Sequence, residues 1–150
     1  MTNDVAPAIE TMSSKDHTVA VVILNWNGGE EILDCLQSVF ESVYKAIEVV
    51  VVDNGSEDGS TEAIGRFPQV HFIRNQRNLG FARGSNQGME WALARGIRYA
   101  LLLNGDARMD PKMIRELLAA VVRKEDGVVA CPRMYLGGGT RASAHLCGRP

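Results

Sequence analysis

The chain has 150 residues, 45% of them hydrophobic and 23% charged, with a formal net charge of -2. That is one domain's worth of chain with a core of ordinary size, and without a basic stripe it does not read as a nucleic-acid binder. No stretch approaches the ~20 apolar residues of a membrane span, and residues 1–17 read as a flexible leader because they lack an apolar run of signal-peptide length.

Three cysteines, Cys35, Cys131 and Cys147, form no CxxC pair. Cys35 and Cys131 read as small core residues in a reducing, cytoplasmic compartment. The arginines from Arg66 to Arg98 are scattered among apolar and small residues and read as a solvated face.

Val19 to Leu24 is a continuous β-branched run, the pattern of a strand covered on both faces. Asn25 to Gly29 breaks it. From Glu30 to Ser42 the residues Ile32, Leu36 and Val39 recur at helical spacing, with two acids in the first turn. Ile47 to Val52 is a second buried strand, ending at Asp53. The turn formers Asn54 to Gly59 follow, and Ser60 is placed to cap a short helix through about Arg66. Val70 to Ile73 is a third strand. A glycine-bearing loop leads to a helix from Phe81 to Arg95, which Gly96 ends. Tyr99 to Leu103 is a fourth strand. Asp110 and Pro111 start another helix, and Val128 to Cys131 reads as a fifth strand.

Strands alternating with helices imply right-handed crossovers and a mostly parallel sheet between helical layers, a three-layer α/β domain over residues 18–150. In such sheets ligands bind beyond the carboxyl ends of the strands. The polar residues there are Asn25 and Asn27 after strand one, Asp53 after strand two, and Asn104 and Asp106 after strand four. A dinucleotide-binding (Rossmann, NAD-dependent) reading meets the loop Asn-Trp-Asn-Gly-Gly, which lacks the Gly-x-Gly-x-x-Gly spacing that cradles a pyrophosphate.

Four blocks in order carry a more specific resemblance. Val21 to Asn27, Val50 to Ser60, Asn78 to Gly88 and Leu101 to Ala107 together resemble the family 2 glycosyltransferases, with a flavour closest to the rhamnosyltransferase-like branch. The resemblance implies a GT-A fold and inverting transfer from a nucleotide-diphosphate sugar. It implies an acceptor glycan or lipid-linked glycan, as in polysaccharide synthesis, with peripheral membrane contact open. Asp53 is then expected to accept a hydrogen bond from the donor base; otherwise it caps its own loop. Asn25 and Asn27 lie where the nucleotide packs, and Trp26 reads as a core anchor. Asp106 is the expected ligand of a divalent cation, Mg²⁺ or Mn²⁺, which stabilises charge on the departing diphosphate. Asn104 stands at the first acid of the family's Asp-x-Asp turn. Arg83, beside Asn86 at the start of the third helix, faces either donor phosphates or solvent. His145 with Cys147 is too little for a zinc site.

Inverting transfer also needs a general base to take the acceptor proton. By resemblance that acid belongs to a later block, and nothing after Asp126 matches it. The chain therefore reads as the donor-binding half of a C-terminally truncated domain, with a non-catalytic nucleotide-sugar-binding module as the alternative.

Overall fold

The computed structural model describes residues 17–122, 129–136 and 140–141. Its sheet has four strands, all parallel: β1 (Val19–Asn25), β2 (Ile47–Asp53), β3 (Val70–Arg74) and β4 (Tyr99–Asn104), in the order β3-β2-β1-β4. Between them run α1 (Glu31–Phe40), α2 (Ser60–Ile64), α3 (Phe81–Ala94) and, after β4, α4 (Met113–Val122). A two-residue pair, β5 (Tyr135–Leu136) and β6 (Thr140–Arg141), stands apart.

Three layers result because β1 and β2 are apolar on both faces. Val19, Val21, Ile23, Val49 and Val51 pack with Ile32, Leu36, Ile64, Ile114 and Leu118 on the side of α1, α2 and α4. The alternate residues Ala20, Val22, Val50 and Val52 face α3 through Trp91 and Ala92. That helix comes unusually near the sheet. A Cβ built on Gly88 would lie 2.2 Å from Val22 Cγ1, and one on Gly84 2.4 Å from Leu24 Cδ1. Glycines at i and i+4 thus bare the first two turns of α3 where they meet Val22 and Leu24 of β1.

Several expectations shift. The fifth strand does not form in the described residues: Val128 lies outside them, and 129–131 pair with nothing. Val129 is 86% exposed. Pro132, which has no N–H for a ladder, follows immediately. Cys131 is correspondingly exposed, whereas Cys35 is buried. Helix α2 is capped by Gly59 rather than Ser60, because Gly59 takes φ 84 and Ser60 already lies inside the helix. The leader lies outside the described residues except for His17, which is buried and stacks on Tyr99. Helix α4 starts at Met113 rather than at Pro111, and Asp110 Oδ1 accepts from the Lys112 N–H at 2.8 Å in the turn that precedes it.

Candidate functional site

Parallel strands deliver three loops to one sheet edge, and register decides which side chains meet there. Asn25 and Asp53 are direct partners at the ends of β1 and β2. The two N–H groups of Asn25 Nδ2 are shared among Asp53 Oδ1 (2.8 Å), Ser60 Oγ (2.9 Å) and Ser56 Oγ (3.1 Å). Asp53 further accepts from the Ser56 hydroxyl (2.5 Å) and from the Gly55 and Ser56 N–H groups. Three more bonds lace the loops together: Asn27 N to Ser56 Oγ, Glu57 N to Asn27 Oδ1, and Gly29 N to Asp58 Oδ2. The Asp58 carboxyl is held below its ordinary range, chiefly by the Ser60 hydroxyl and also by the Gly29 N–H.

Above this clasp lies a cleft of about 310 Å³ at the ends of β1 and β4, bounded by Asn25 to Gly28, Glu31, Phe81 and Asn104 to Asp106. Trp26 and Phe81 line it as exposed rings, 59% accessible each. A flat apolar ring on an otherwise polar wall suits a planar ligand.

Asp106 brings a carboxylate to this cleft, and the turn that holds it rests on α1. Cys35 Sγ donates to the Asn104 carbonyl at 3.5 Å. Burial, and then the charge of Asp106, push the Cys35 thiol up to about 12, so it stays a neutral donor at ordinary pH. A hard divalent cation wants oxygen ligands. The cleft offers the Asp106 carboxylate and the exposed Asn104 amide, and in its floor Asn25 Oδ1 is buried without a protein partner. That donor chemistry fits Mg²⁺ or Mn²⁺, although no group of three His, Cys, Asp or Glu side chains gathers among the described residues.

Of the residues singled out from sequence, Asn25, Asn27, Asn104 and Asp106 share this cleft. Asp53 does not line it: its carboxylate is completely buried and spent on the loop. Trp26 is no core anchor, because the chain leaves the sheet at Asn25 and Asn27 adopts φ 50, which turns the loop outward. Arg83 is exposed on the first turn of α3 and stands outside the cleft lining. Ser56, Asp58, Phe81 and Glu31 were not singled out. The Gly84–Gly88 spacing is the signal for Phe81, since it presses the start of α3 toward the end of β1.

The glycosyl transferase family 2 model matches residues 20–147. Among curated relatives, the uncharacterized glycosyltransferase YibD of Escherichia coli is 24% identical over 80% of this chain and 35% of its own length. Glycosyltransferase GlyG of Streptococcus pneumoniae is 28% identical over 74% of this chain and 37% of its own. The chain thus spans little more than a third of either relative. Among solved structures, S. aureus TarS with UDP-GlcNAc aligns at TM-score 0.62 and 18% identity over 71% of this chain and 31% of that one. The mannosyltransferase PcManGT of Pyrobaculum calidifontis, with GDP-Man and Mn²⁺, aligns at 0.58 and 23% identity, again over 71% and 31%. These likenesses give the fold, the α/β architecture of GT-A glycosyltransferases. With the family model spanning nearly the whole sequence, the chain belongs to glycosyl transferase family 2.

Proposed function

We propose that the cleft binds a nucleotide-diphosphate sugar together with a divalent cation, as the donor-binding part of an inverting glycosyltransferase. The observation that carries this reading is the meeting of exposed aromatic rings and the Asp106 carboxylate in one cleft at the carboxyl edge of a parallel sheet. A nucleobase stacks on Trp26 or Phe81, and the diphosphate lies toward Asp106. Asn25 and Asn27 form the floor and wall between them. Asp53 serves the base pocket from beneath, by holding the loop that shapes it. Arg83, on the first turn of α3, reaches the phosphates from outside the lining. When bound, the cation held by Asp106 with Asn104 supplies positive charge to the leaving diphosphate.

We assign the base that takes the acceptor proton to no residue of this chain, so the chain alone binds donor without transferring sugar. The acceptor is a glycan or lipid-linked glycan. A poly-beta-1,6-N-acetyl-D-glucosamine synthase of Staphylococcus epidermidis, 27% identical over 95 residues, supports polysaccharide synthesis. The block sequences favour the rhamnosyltransferase-like branch. Free Cys35 and Cys131 favour a cytoplasmic setting, and no described helix is long and apolar enough to cross a membrane.

Calorimetric titration of the purified chain with UDP and with GDP, each with and without Mn²⁺, tests the reading. Binding of at least one, strengthened by Mn²⁺, is expected. Trp26→Ala should weaken it by about 1–3 kcal/mol, the worth of one base–aromatic stack. Failure of both nucleotides to bind, or binding indifferent to Trp26 and Mn²⁺ alike, would overturn it.

A further inference from the structure

The Asn-Gly-Asp turn has one carboxylate where a diphosphate-bound cation is better served by two. Asn104 is neutral. Gly105 is tight for a side chain, since a Cβ there would lie 3.0 Å from the Leu24 carbonyl and 3.2 Å from Ile32 Cδ1. The turn as it stands holds one acid, and a second, Glu31, lines the same cleft from the first turn of α1.

Two contacts fasten that part of α1 to the turn. Ile32, next to Glu31, abuts Gly105. Cys35, four residues on, hydrogen-bonds the Asn104 carbonyl. Residues at i and i+4 share a helix face, so Glu31 stands above Cys35 on the side that meets the turn.

Independent of the acids, Asn25 Oδ1 is an unpartnered buried acceptor in the floor of the same cleft. Asn25 is 1% exposed, and its oxygen has no partner although three acceptors surround its nitrogen. Those acceptors fix the amide, leaving the oxygen against Gly28, where a Cβ would sit 2.4 Å away, and near Gly105. A buried acceptor without a donor is costly unless something fills the site.

We propose that Glu31 is the second carboxylate of the cation site, reaching toward the Asp106 turn from α1 and supplying the charge that Asn104 withholds. This rests on the reading that the cleft takes a cation with a nucleoside diphosphate. An acid in the first turn also favours the helix dipole. Glu30, the N-cap residue just before the helix, lies at the same dipole end but does not line the cleft, which makes it the control.

The test measures Mn²⁺ affinity by electron paramagnetic resonance in the purified chain with saturating UDP. Glu31→Gln should weaken Mn²⁺ about tenfold, Glu31→Asp should restore part of the loss, and Glu30→Gln should leave affinity unchanged. Equal losses in Glu31→Gln and Glu30→Gln would assign the effect to the helix and overturn the proposal. Wild-type affinity in Glu31→Gln, with loss in Asp106→Asn, would overturn Glu31 alone. Wild-type affinity in both would overturn the cation reading of the cleft as well.

Discussion

The side-chain nitrogen of Asn25 lies 2.8 Å from Asp53 Oδ1, joining two residues that are register partners at the ends of adjacent parallel strands. This pair keys the β1–α1 loop to the β2–α2 loop, so the cleft inherits its shape from a bond beneath it. Asp53→Ala removes the acceptor for Asn25 Nδ2, the Ser56 hydroxyl and two backbone N–H groups. Leaving buried donors unpaired should cost roughly 3 kcal/mol. Urea denaturation should show this loss, and UDP affinity should fall with or without metal. A variant as stable as wild type would mean that water replaces the carboxylate.

How far the sequence foretold this arrangement depends on the kind of signal. The β-branched runs of β1 and β2 are buried on both faces, and such runs announce themselves. The polar residues ending β1 and β4 converge on one cleft because a parallel sheet puts all carboxyl ends on one edge. Which way Asp53 points was not legible, since only register reveals that Asn25 stands opposite it. Trp26 reads as a core anchor in sequence but stands exposed, because of the left-handed turn at Asn27. The strand expected at 128–131 shows the limit of short apolar runs, since 129–131 join no ladder and Pro132, without an N–H, follows at once.

The contact of α3 with β1 predicts unequal effects of two similar substitutions. A Cβ at Gly88 meets Val22 Cγ1 at 2.2 Å, on a fully packed central strand with a stiff β-branched side chain. A Cβ at Gly84 meets the terminal Cδ1 of partly buried Leu24. Alanine improves helix propensity by about 1 kcal/mol at either site, but overpacking costs about 1–3 kcal/mol where neighbours cannot yield. Gly88→Ala should therefore lower the melting temperature more than Gly84→Ala. Adding Val22→Ala to Gly88→Ala should recover part of the loss; recovery by Leu24→Ala instead would contradict the contact.

Asp58 gives the loop clasp a pH dependence. The Ser60 hydroxyl foremost, with the Gly29 N–H, stabilises its charged form and holds its carboxyl below the ordinary 3.8. A value lowered by folding means the contribution is present above the unfolded value and fades as pH falls toward the folded one. Asp58→Asn should thus be less stable than wild type near neutrality, with the two melting curves converging as pH drops below about 3.8. Because Asp58 is exposed, the gap should be small and should shrink in high salt. A gap that widens on acidification would reverse the assigned sign.

The metal turn yields the sharpest expectation. If Asp106 shares a cation with a bound diphosphate, Mn²⁺ should raise UDP affinity, and Asp106→Asn should abolish most of that increment. Metal-free affinity should change little, because the clasp around Asp53 is built from different residues. Asn104→Asp should enlarge the increment, since charge count tunes affinity for hard cations. The Asn104 side chain is exposed, while its carbonyl is the group held by Cys35, so the substitution leaves the support of the turn intact. Titration of UDP into the three proteins, with and without Mn²⁺, separates the effects. An Asp106→Asn protein that keeps the full metal increment would show that the Asn-Gly-Asp segment is a turn without a ligand, whatever the cleft binds.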